Sequence, residues 1–447
     1  MLIFLLLTHI QLKLIKFGKK IMRKYFILLA AAFGFVASAQ QVRCNFDEKW
    51  NEFAKKHPEA GLKHKQMAEF ISKSENIAPY FKNGQTVVTI PVVVHVLYKT
   101  PTQNISDAQI LSQLAVLNND FRKLNADFST VVPAAFQSAA ADLEINFCLA
   151  TKDVNGNPTT GIIRKSVGSN FLFDDNYFSA ANGGDAAWNT TKYLNIWVGA
   201  FTDTDLLGWA YPPAAAGYAN DGLCIAYQVF GTTGTAGEFP YTTYNKGRTA
   251  THEIGHYFGL NHIWGEGNLP SIPNPAVCGT AGWSDGCADT PATYFAYFGT
   301  PTYPNNQYTC TNTTNGAMFM NYMDYVDDVA MAMFTNNQKT ITQNVLSSQR
   351  ASLLNSNACT FLSVNEVEKA GSINVFPNPT TQYISIASPF VAINEVEIFN
   401  AEGRLVKKSI IKNETDKINV ADFASGVYYV RTYSGKDFIK SMKFIKK

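Results

Sequence analysis

The stretch from Arg248 to His262, RTATHEIGHYFGLNH, decides how the rest of the chain is read. His252 and His256 lie four residues apart, so on a helix both project from one face and reach a single metal ion. Glu253 sits beside the first, where a carboxylate can take a proton from a water on that metal. Gly259 supplies the turn that ends the helix, so that His262 completes three nitrogens around zinc. Three protein ligands leave one position open for water, the arrangement of a catalytic rather than a structural site. Paired histidines also occur on ordinary helices; Gly259 and His262 at their offsets make the difference.

HEIGHYFGLNH resembles the long zinc signature of the metzincin metallopeptidases. Their second hallmark, a methionine turn, is matched by Asn321, Tyr322, Met323, Asp324 and Tyr325. GRTATHEIGHYFGLNHIWG, CADTP at Cys287 to Pro291, NYMDYVDD and MFTNNQ resemble the bacterial branch of the pappalysin family, over most of Val88 to about Leu354. The resemblance implies an α+β fold: a metzincin-like domain with a twisted mixed sheet, a backing helix, a zinc helix and an irregular lower subdomain. It implies a secreted zinc endopeptidase acting on proteins or peptides, with Glu253 as general base, Met323 as a floor beneath the metal and Tyr325 donating its hydroxyl to the tetrahedral intermediate. It also implies that Leu207 to Tyr211 is the edge that holds substrate antiparallel, and that Asp328 walls the pocket for the residue after the cut bond. A buried carboxylate there favours Lys or Arg. The ordinary readings are a packing methionine for Met323 and a loop aromatic for Tyr325.

At 447 residues the chain has room for a catalytic core plus one or two small modules. Hydrophobic residues make up 46%, charged ones only 16%, and the net charge is +2. No dense Lys/Arg patch interleaves with aromatics, which argues against a nucleic-acid partner. Met22-Arg-Lys is a positive n-region, Tyr25 to Val36 is apolar and Ala37-Ser-Ala39 is a small-x-small cleavage site. Residues 1–39 are therefore expected to be a signal segment, with translation from Met22 and a processed start at Gln40. The apolar run is too short to cross a bilayer comfortably, so no stable transmembrane anchor is expected.

In residues 40–86, Trp50, Phe53 and Ala54 share one face of a short helix. This segment resembles the family's propeptide, and Arg43-Cys44 is placed like its cysteine switch. A thiolate is a strong zinc ligand that would fill the open position until the segment is cut away near Asn83 to Thr86. The other reading of Cys44 is a disulfide. Export permits disulfides, and seven cysteines, an odd number, leave at least one unpaired or with an intermolecular partner. Cys278 or Cys287 with Cys310 is the bridge expected to pin the loop after the zinc helix.

Residues 87–358 hold the catalytic domain. Val87 to Leu97 is a near-continuous β-branched run, hence a buried strand containing a core histidine, His95. Ser106 and Gln109 cap a helix from Asp107 to about Leu124. Leu143 to Leu149 and Leu194 to Val198 are strands, Gly234 to Lys246 a flexible lead, and Asn337 to Leu354 a terminal helix. From Trp264 to Pro304, Gly and Pro punctuation argues for loops held by disulfides or by calcium. Asp285 and Asp289 are the calcium candidates, hard oxygen ligands beside turns, and the resemblance implies calcium here; otherwise they cap turns. Glu266 stands where the family usually has aspartate.

After a linker at 359–371, residues 372–447 show about seven short strands with turns at Asn378-Pro379, Glu402-Gly403 and Ser434-Gly435, a small β-sandwich. VFPNPT, EVEIFNAEGRLV and FASGVYYVRT resemble the sorting domain of the type IX secretion system. That implies the type IX machinery as a partner and export through a bacterial outer membrane. The competing reading of the whole is an exported binding or adhesion protein with a structural zinc, for which Glu253 would be superfluous.

Overall fold

A run of β-branched residues, VTIPVVVHVLY, makes β1 (Val88–Tyr98), and its residues from Ile90 to Leu97 are buried. It can be apolar on both faces because it lies inside the sheet with parallel partners on each side. β2 (Ile145–Leu149) and β3 (Ile162–Ser166) share one edge of β1, and β4 (Leu194–Gly199) takes the other. Beyond β4 come β5 (Gly208–Ala210) and β6 (Leu223–Ala226), giving the order β2-β1-β4-β6-β5 with β5 antiparallel at the rim. His95 is buried in the sheet, its Nδ1 2.6 Å from Asp185 and its Nε2 3.0 Å from Asn195.

The computed structural model describes residues 43–73, 87–265, 272–359, 373–388, 393–401, 404–412, 416–435 and 437–447. The signal segment, the cut expected near Asn83 to Thr86, Glu266, the Glu402-Gly403 turn and linker residues 360–371 lie outside them. Contacts divide the chain into a unit ending at Cys359 and another beginning at Thr360.

Two helices precede the sheet, α1 (Phe46–Lys56) and α2 (Pro58–Lys73), where one short helix was expected. α3 (Asp107–Asp120) backs the sheet, its Ser106 hydroxyl accepting from the Gln109 amide. It stops before Leu124, with Phe121 as its C-cap. The zinc helix α4 (Arg248–Tyr257) is wholly buried, and α5 (Asn336–Ser347) opens on a capping box between Thr335 and Gln338. α5 is shorter than expected; a separate 3₁₀ turn follows at Ala351–Asn355. Gln109 and Gln113 of α3 bind the backbone on either side of the lead into α4, at Tyr227, Phe230, Gly231 and Gly247, and within it at Thr235. Among the described residues, the stretch from Trp264 to α5 is irregular, with one strand pair between β7 (Phe298–Gly299) and β8 (Tyr325–Val326).

The second unit has β9 (Asn374–Phe376), β10 (Tyr383–Ala387), β11 (Glu395–Phe399), β12 (Leu405–Ile410), β13 (Ile418–Asn419), β14 (Gly426–Ser434) and β15 (Asp437–Lys446). They form two antiparallel sheets, β13-β10-β9 and β12-β11-β14-β15. Ile384, Ile386, Val396, Ile398, Val430 and Phe444 alternate inward to make its core.

Candidate active site

α4 begins where the Asp328 carboxylate, across the chain, accepts from the Lys246 amide at 2.8 Å and the Arg248 amide at 3.3 Å. That charge at a helix N-terminus substitutes for the side-chain cap Gly247 cannot supply. The helix ends at Gly259, whose φ of +87° is the left-handed geometry that lets the chain double back to His262. Met323 runs beneath the helix at Gly255, where an added Cβ would meet the Met323 sulfur at 2.4 Å.

The three histidines converge. Nε2 of His256 is 3.2 Å from Nε2 of His252 and 3.1 Å from that of His262. The Nδ1 atoms of His252 and His256 each lie 2.7 Å from a backbone carbonyl, those of Tyr322 and Leu260. Donation from Nδ1 fixes the tautomer and leaves unprotonated Nε2 lone pairs aimed at one point. Burial holds all three imidazoles neutral, with His256 lowered to about 3. Tetrahedral zinc with nitrogen ligands would space them by about 3.3 Å, so the residues present fit that ion. Cys44 joins them: its sulfur and one nitrogen from each histidine all lie within 4.8 Å of one another. This is a Cys/His cluster of the kind that holds catalytic zinc.

Cys44 comes from the extended stretch just before α1, which lies along the rim of β5. The Leu207 amide donates to the Arg43 carbonyl and the Asn45 amide to the Gly208 carbonyl, so the two run parallel. The Cys44 thiol donates to Glu253 Oε2 at 3.4 Å, and Tyr325 donates its hydroxyl to the Cys44 carbonyl at 3.1 Å. Glu253 Oε1 is buried with no hydrogen-bond partner among the described residues. Burial raises the Glu253 carboxyl to about 8, and burial followed by the Glu253 charge pushes the Cys44 thiol well up. Phe46 stacks on His256 at 4.1 Å, and Trp264 on His262 at 4.5 Å.

Asp328 is fully buried and its Oδ1 meets the Arg43 guanidinium at 3.2 Å. Arg43 also donates to the Val326 carbonyl and lies 5.4 Å over the Tyr244 ring. The sequence reading had placed Arg43 only as the neighbour of Cys44. An arginine preceding a cysteine-switch candidate, in a chain with an acidic pocket residue, was the signal available.

The other candidates lie apart from this cluster. Cys278 is bridged to Cys310, and a second disulfide, Cys148 to Cys359, was not anticipated; Cys44, Cys224 and Cys287 are thiols. Asp285 is buried and accepts from the Thr290 hydroxyl at 2.8 Å and the Cys287 amide at 3.0 Å. Burial raises its carboxyl to about 7. Asp289 accepts from the Thr335 hydroxyl and the Asn337 amide, so it caps α5.

A family model described as pregnancy-associated plasma protein-A matches residues 180–347, and one described as a secretion system C-terminal sorting domain matches residues 374–447. Mature mirolysin of Tannerella forsythia, solved in complex with a cleaved peptide, is 43% identical over 60% of this chain and 96% of that one, with a TM-score of 0.54. A promirolysin mutant from the same organism is 38% identical over 70% and 97%, with a TM-score of 0.58. An extracellular metalloprotease of Arthroderma otae is 30% identical over 255 residues, 56% of this chain and 75% of that relative.

Proposed function

The chain belongs to the pappalysin family of metzincin zinc metallopeptidases and is a zinc-dependent endopeptidase with a zymogen-like precursor state; from that premise we propose which side chains cut, select and restrain. Zinc held by His252, His256 and His262 would polarise the scissile carbonyl and acidify a water. Glu253 takes that water's proton and passes it to the leaving amine. Tyr325 donates its hydroxyl to the charge developing on the carbonyl oxygen, and Met323 supports the ligands from below. Asp328 selects Lys or Arg after the cut bond.

The observation that carries this reading is the Arg43-Cys44 pair. One residue puts a sulfur among the three histidines while its neighbour puts a guanidinium on Asp328. Cys44 acts as the switch that keeps water off the metal, and it also engages Glu253 and Tyr325, the two groups the reaction needs free. Because this segment runs parallel to β5, its peptide bonds enter the cleft in the reverse of an antiparallel substrate's direction.

Asp285, the Cys287 carbonyl and the Thr290 hydroxyl form a set of oxygens suited to calcium, whereas Asp289 is committed to α5. The sorting domain directs the chain to type IX export, and the protein is extracellular or on the cell surface. No helix among the described residues is long and apolar enough to cross a membrane.

The test compares the full zymogen with its Glu253→Ala and Cys44→Ala variants, zinc content and folding checked in each. Once processed, the native enzyme should cut protein substrates before Lys or Arg. Glu253→Ala should lower kcat/KM by about a thousandfold, and Cys44→Ala should cut before any processing. A folded, zinc-loaded, processed enzyme that cuts nothing in a broad peptide library would replace this reading with an exported binding protein.

A further inference from the structure

α1 leaves an imprint on the cleft beyond the metal and the Asp328 pocket. Phe53, buried on the inner face of α1, sits 5.3 Å from the Tyr211 ring and 5.0 Å from the Tyr218 ring, edge to face with the latter at 89°. Tyr218 is held by a hydrogen bond to Glu59, and His57 lies 4.8 Å from its ring. When the pro-segment leaves, Phe53, His57 and Glu59 leave with it. Tyr211 stays, its amide bonded to the Gly222 carbonyl and its carbonyl to Arg350.

The position of this seat along the cleft follows from β5. Arg43 and Asn45 already pair with the rim of that strand at Leu207 and Gly208. Tyr211 follows directly after β5, about 10 Å further along the rim at the rise of a strand. A substrate lying antiparallel to β5, with its cut bond where Arg43 and Cys44 now lie, would bring a residue about three to four positions before that bond opposite Tyr211.

We propose that Tyr211 and Tyr218 form a substrate subsite for an aromatic side chain at that position, which Phe53 fills in the latent chain. The proposal rests on the endopeptidase reading above. Two tyrosine rings at these separations attract a third ring beyond what its apolar area alone provides. The pro-segment also fills the Asp328 pocket with a side chain of matching chemistry, Arg43, so it meets both ends of the cleft as a substrate would. A cavity of about 280 Å³ beside Phe53, bordered by Lys49, Asp174, Phe178 and Ala219, gives room for a ring larger than phenyl.

The experiment activates the full zymogen and measures kcat/KM on peptides cut before Arg that differ only in carrying Phe, Trp or Ala at the third or fourth residue before the cut. Phe and Trp should exceed Ala about tenfold at one of these positions. Tyr218→Ala should bring that ratio close to one, and Tyr218→Phe, which keeps the ring, should preserve it. A ratio near one in the native enzyme, or an unchanged ratio in a folded Tyr218→Ala, overturns the subsite and leaves the endopeptidase standing. If no peptide is cut at all, the endopeptidase reading fails and the subsite with it.

Discussion

Asp328 carries two duties on its two oxygens. Oδ2 caps the entry to the zinc helix through the Lys246 and Arg248 amides, and Oδ1 receives Arg43. Asn at this position keeps an acceptor for the helix but removes the charge that binds a guanidinium. Asp328→Asn is therefore expected to lower kcat/KM for cleavage before Arg on the order of a hundredfold, while cleavage before neutral residues changes far less. Cut-site mapping by mass spectrometry decides it; unchanged Arg preference would remove Asp328 from the pocket. The sequence made this residue visible only through its place after the methionine turn. Its capping role spans some 80 residues, and its bond to Arg43 spans 285, separations that no local pattern encodes. The histidines were legible for the opposite reason, since helix geometry places His252 and His256 on one face.

Among the elements, β1 and α4 were readable because one is continuously apolar and the other carries its ligands at helical spacing. β3 was missed: IIRKS is short and half-exposed, and lacks a strand's alternation. α5 was read too long: it ends at Ser347, and Arg350, three residues beyond, turns inward at the start of the separate 3₁₀ turn. Its Nε donates to the Tyr257 carbonyl at 2.8 Å, its guanidinium lies on the Tyr257 ring, and it forms a buried pair with Asp221 at 2.9 Å. This residue joins the C-terminal end of the catalytic unit to the end of the zinc helix. Arg350→Met would leave Asp221 buried and uncompensated, and is expected to destabilise the fold by about 3–5 kcal/mol. Adding Asp221→Asn should recover part of that loss. Urea unfolding of the single and double variants checks it; a single variant as stable as the native protein would show that the pair contributes little.

At the scale of the molecule, the irregular half of the catalytic unit depends on what secures its loops. If calcium binds at Asp285, EGTA should lower the melting temperature by about 5 °C at pH 8. The effect should shrink at pH 5.5. Burial raises the Asp285 carboxyl to about 7, above the unfolded range near 4. Below both values the group is neutral in either state. As pH rises towards 7 the folded form must retain a proton or bury a charge, so stability falls unless a cation offsets it. Identical melting with calcium and with EGTA at both pH values would dismiss the site. Of the two disulfides, Cys278–Cys310 was one of the pairings the sequence suggested, whereas Cys148–Cys359 lay beyond sequence reasoning because its pairing depends on which segments the sheet brings together. Cys359 is the last residue of the catalytic unit, and its partner Cys148 lies on β2, 211 residues earlier. The unit thus ends in a covalent knot rather than a loose thread. Severing the sorting module beyond Cys359 leaves no free end to unravel, and a nick anywhere between the two cysteines yields pieces that stay tethered until a reductant frees them.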